Sequence, residues 1–75
     1  MTTSELFSVY WYDPDGTQHR DQYLKTLPES KEAFDRLVGG PAAQMGIVKR
    51  VLVTDALDCL VCEMTNTQTG WEQTA

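Results

Sequence analysis

The stretch "LFSVYWYDPDGTQHRDQYLK", residues 6–25, decides how the rest of the chain is read. Residues 6–12 are dense in aromatic and β-branched side chains, the composition of a strand. The run then halts at Asp13, Pro14, Asp15 and Gly16. Proline presets φ for a turn, the Asp13 carboxylate can accept hydrogen bonds from the turn backbone, and glycine supplies a positive φ. Beyond the turn, "TQHRDQYLK" is polar but extended in character. The segment therefore predicts a hairpin whose second arm lies at a sheet edge.

Moving outward, "TLPESKEAFDRLVGG" carries Thr26 and Glu29 at capping-box spacing, with Pro28 in the first turn. Ala33, Phe34, Leu37 and Val38 recur at helical spacing, which predicts a helix of about eleven residues with one apolar face. Gly39, Gly40 and Pro41 should end it, a glycine taking the left-handed cap, and "AAQMG" allows one further turn. "IVKRVLVT" (residues 47–54) and "CLVCEM" (residues 59–64) read as strands joined by the short acidic turn "DALD". The tail, residues 66–75, is polar and expected to be loop or frayed end, as is the start, residues 1–5. Trp71 is its one anchor, for a short last strand or for packing over the sheet. The expected fold is one α+β domain over residues 1–75: two antiparallel hairpins in ββαββ order, with one main helix on one face.

The sheet predicted in this way has more apolar surface than one helix can cover. The first strand places Phe7, Val9 and Trp11 on one face and Leu6, Tyr10 and Tyr12 on the other. The third sets Ile47, Val51 and Val53 opposite Val48 and Leu52. The fourth sets Leu60, Cys62 and Met64 opposite Cys59 and Val61. What the helix leaves bare must be covered by the tail with Trp71, by a second copy, or by another protein. Each large apolar group left in water forgoes roughly 1.5–3 kcal/mol of burial.

Composition narrows the function classes. The chain has 75 residues and a formal charge of −5, from eleven acidic residues against six Lys and Arg. That sign and the scatter of the basic residues argue against nucleic acid, and no apolar run approaches the roughly eighteen residues of a membrane span. With no export pattern in "MTTSELFSVYWY", the two cysteines are expected as reduced thiols in the cytoplasm. A hydrophobic fraction of 41% builds a thin core with no room for an enclosed substrate pocket.

The chemistry-bearing residues give little. Cys59 and Cys62 share one expected strand but face opposite sides, with Cα atoms about 10 Å apart, beyond disulfide reach. They read as core thiols, the rival being a zinc knuckle pooled between two chains. "DPDGT" does not match a calcium loop, because Gly16 falls at the fourth position and Leu24 at the twelfth. Gly39 and Gly40 follow a helix and make no phosphate loop. No cofactor is expected. His19, Asp21 and Tyr23 would share one face of a regular second strand, the arrangement an enzyme with a site at a dimer interface would use. The favoured expectation is a non-enzymatic interaction domain, a homodimer or an inhibitor or accessory subunit of a larger protein. It would bind through Tyr10, Tyr12, Tyr23 and Trp71, with Trp11 as the core-facing alternative.

Overall fold

A computed structural model describes residues 5–67 and 69–74. Five strands form one antiparallel sheet: β1 (Phe7–Tyr12), β2 (Gln18–Lys25), β3 (Arg50–Asp55), β4 (Leu60–Thr67) and β5 (Gly70–Gln73). Between β2 and β3 run the helix α1 (Leu27–Gly39) and the single turn α2 (Pro41–Gln44). The order across the sheet is β2-β1-β3-β4-β5. The two expected hairpins are present, β1 with β2 and β3 with β4, and β1 pairs with β3 at the centre. β5 replaces the expected loose tail with the short last strand that Trp71 was expected to anchor. Thr65, Asn66 and Thr67 extend β4, and Trp71 pairs opposite Asn66. The expected frayed start falls mainly on residues 1–4, which lie outside the described residues, as do Gln68 and Ala75.

Both hairpins turn through one five-residue frame. The Asp13 N–H donates to the Thr17 carbonyl and the Gly16 N–H to the Asp13 carbonyl, while Asp13 Oδ1 accepts from the Asp15 and Thr17 N–H groups. At the other turn the Asp55 N–H donates to the Cys59 carbonyl and the Asp58 N–H to the Asp55 carbonyl. There Asp55 Oδ1 accepts from Leu57 and Cys59. The fourth position is left-handed in both, φ +87° at Gly16 and φ +64° at Asp58.

Thr26 caps α1: its N–H and Oγ1 both donate to Glu29 Oε1, at 3.3 and 2.9 Å, closing the expected capping box. These bonds hold the Glu29 carboxyl below its ordinary range. The helix end departs from expectation. Gly40 is extended (φ −86°), and glycine is needed there because a Cβ would collide with the Arg36 carbonyl oxygen. Pro41 then opens α2.

α1 lies on the face that carries Phe7 and Val9 of β1 and Val51 and Val53 of β3, with Ala33 pressed against them. Val48 is fully buried with this group although it precedes β3, which corrects its expected place on the opposite strand face. The Asn66 side chain locks that irregular approach by donating to the carbonyls of Val48 and Ala43, both at 3.2 Å. Fully buried Val9, Val48 and Val51 each contribute roughly 1.5–3 kcal/mol. The exposed Arg36–Asp21 and Arg50–Glu63 pairs contribute about 1 kcal/mol or less each. Stability is therefore concentrated under α1, on the two central strands.

The fourth strand differs most from its sequence reading. Cys59 is the last residue of the turn, outside the strand and exposed; Cys62 is half-buried beside the core, and both thiols are free. Val53 pairs with Cys62 but Thr54 pairs with Leu60, so Val61 has no partner and forms a bulge. The bulge moves Leu60 to the face away from α1 and leaves Val61 beside Leu27 and Phe34 on the helix side. Expected as doubly buried, β4 is half-exposed along its length.

Candidate functional site

The side of the sheet away from α1 is built by alternation. Tyr10 and Tyr12 of β1 point there, paired with Leu52 and Arg50 of β3 and with Arg20 and Gln18 of β2. Among the described residues no helix or strand packs over it. Arg50 stacks its guanidinium 4.3 Å from the Tyr12 ring centre and binds Glu63 at 3.0 Å. Arg20 lies 4.7 Å over the Tyr23 ring, and Gln18 donates to the Tyr12 hydroxyl. Shallow hollows flank Tyr10: Leu52, Thr54 and Leu60 line one, Ser8, Tyr23 and Leu24 the other.

Three of the four expected contact residues, Tyr10, Tyr12 and Tyr23, thus belong to one surface. Trp71 does not. It lies on the helix side, packed against the core cluster, as Trp11 does. Strand polarity hid this, because β5 is an edge strand with a single apolar residue to show.

His19, Asp21 and Tyr23 are not brought together, since β2 is not regular. Its register against β1 slips twice, once at Asp21 and again around Tyr23 and Leu24, where Leu24 takes φ +54° and donates its N–H to Ser8 Oγ. His19 instead stacks on Trp11, ring centres 4.2 Å apart, and its Nε2 sits 2.9 Å from Asp13 Oδ2. That bond to His19 is the main reason the Asp13 carboxyl lies below its ordinary value; the turn amides of Thr17 and Asp15 add to it. Asp21 accepts from Arg36 at 2.7 Å. The three side chains thus have three separate partners.

The helix side carries a second exposed surface, which the sequence did not reveal. α1 covers β1 and β3 but stops short of β4. Leu27, Phe34, Val61 and Cys62 line a hollow of about 180 Å³ between them, with Lys31 at its rim. Leu27 and Val61 also border a neighbouring hollow lined by Leu6 and Leu57, with Glu5 and Asp55 at its edge. Leu57 is 84% exposed, Leu27 58% and Val61 50%. The signal for it was the spacing of Leu27, Lys31 and Phe34, one flank of a helix, together with a leucine in a turn.

Among the described residues no group of three or more His, Cys, Asp or Glu could hold a metal ion, and no helix is long and apolar enough to cross a membrane. No family model, curated protein or solved structure matches this chain.

Proposed function

We propose that this chain is a non-enzymatic protein-interaction domain, acting as an inhibitor or accessory subunit that docks a larger protein on the tyrosine face. The observation that carries it is the composition of that uncovered face. Tyr10, Tyr12 and Tyr23 stand beside Arg20 and Arg50, and tyrosine and arginine are the residues enriched where binding energy concentrates. The net charge of −5 would attract a partner of net positive charge from a distance, while Arg20 and Arg50 on the face itself call for hydrogen-bond acceptors opposite them. Reduced thiols and action in the cytoplasm belong to the same proposal.

The test is a tagged pull-down from the native host, read by mass spectrometry, with wild type against the Tyr10→Ala/Tyr12→Ala and Tyr23→Ala variants. Circular dichroism confirms that each variant folds. A basic protein retained by wild type and lost at least about tenfold from the folded variants supports the reading. Equal retention by all three, or nothing retained by wild type, sinks it.

A further inference from the structure

We infer that two copies of this chain associate through the helix side, each inserting its Leu57 turn into the hollow between α1 and β4 of the other. This surface lies across the sheet from the tyrosine face, the two meeting at Asp55 and Ala56, and the inference does not depend on a larger partner.

The surface is a strip with unlike ends. One end carries the projecting Leu57, with Leu6 beside it and Glu5 and Asp55 at the edge. The other end is the hollow floored by Phe34 and Cys62, with Lys31 at the rim. Leu27 and Val61 border both and mark the middle. A two-fold axis through that middle lays each end on the opposite end of the second copy. Leu57 then enters the hollow twice over, and Lys31 meets the acidic edge of Glu5 and Asp55 twice over.

Such isologous pairing is how most homodimers close, and here it satisfies shape and charge with the same operation. A partner lacking this arrangement would have to supply both a knob for the hollow and a pocket for Leu57. A second copy has both already. Charge complementarity matters more than usual, because each chain is at −5 and general repulsion opposes association. A head-to-tail contact would bring Lys31 to the acidic edge once; the two-fold arrangement makes both pairs in one contact and closes.

Sedimentation equilibrium at low salt tests the inference on wild type and four variants. Wild type is expected to dimerise. Leu57→Asp should raise the dissociation constant about tenfold or more without unfolding the monomer, since the side chain is already in water there. Lys31→Glu and Glu5→Lys should each weaken the dimer several-fold, and Lys31→Glu/Glu5→Lys should restore it. A wild type monomeric to about millimolar concentration overturns the inference. So does a Leu57→Asp chain that dimerises like wild type, or a double variant no tighter than the singles. Partner capture by the tyrosine face is read on different variants, so either idea can fail alone.

Discussion

At residues 13–17 and at residues 55–59 the chain reverses through the same hydrogen-bonded frame, and the two turns fill it with different side chains. Asp13 and Asp55 play one role, each accepting from two backbone N–H groups. Thereafter they diverge. The first turn uses Pro14, Asp15 and Gly16, residues suited to the conformation and to water. The second uses Ala56, Leu57 and Asp58, with a leucine exposed where the first has an aspartate, and a residue with a Cβ at the left-handed position. Local stability accounts for the first turn. It does not account for the second, where the left-handed Asp58 raises the local free energy and the exposed Leu57 gains no burial from folding.

The comparison breaks most directly at the shared aspartates. Asp13→Ala and Asp55→Ala should each lower stability by about 1–2 kcal/mol in urea unfolding, since each strands two turn N–H groups. If one were silent, the two frames would not be equivalent. The fourth position should then give opposite signs. Gly16→Ala should destabilise by about 1 kcal/mol, because a Cβ at φ +87° is strained even in open space. Asp58→Gly should stabilise by about 0.5 kcal/mol, as aspartate tolerates that region only partly. A loss at Asp58 of the size seen at Gly16 would mean that the aspartate holds its turn in some other way.

The smallest effect is in acid. Asp13 titrates lower in the fold than in the unfolded chain, so its contribution is full above the ordinary value of 3.8 and fades as pH falls through the depressed folded value. Urea midpoints of wild type should therefore fall more between pH 6 and pH 3 (about neutral-side to acid-side of that value) than those of Asp13→Asn, which keeps the turn acceptor and loses the charge. Parallel curves would remove the His19–Asp13 bond as a stabilising contact.

The two turns also show what a sequence discloses. "DPDG" announces itself because every residue has a turn-specific reason to be there. "DALD" builds the same frame with one such residue, Asp55, so it could be read only as a short link. Missing the frame misplaced Cys59, which matches Thr17 as the closing residue of its turn and not as the first of a strand. The strands β1 to β4, the capping box and the two-faced β1 were legible because they rest on local propensity and alternation. The bulge at Val61 and the slips in β2 were not, since an extra residue leaves no mark in composition and yet exchanges faces beyond it. The slips separated Tyr23 from His19 and the bulge put Val61 beside Leu27, so the tyrosine face could be anticipated and the helix-side strip could not.

The slips in β2 also bear on the solubility of the sheet. β2 and β5 are its edges, and an edge strand with a straight row of free amides and carbonyls invites another sheet to add on. Two register breaks and the charges of Arg20, Asp21 and Lys25 make β2 a poor template for such growth, and β5 is only Gly70–Gln73 long. Open-ended stacking of backbones into fibres is thereby discouraged at both margins, leaving association to side-chain surfaces that close on themselves.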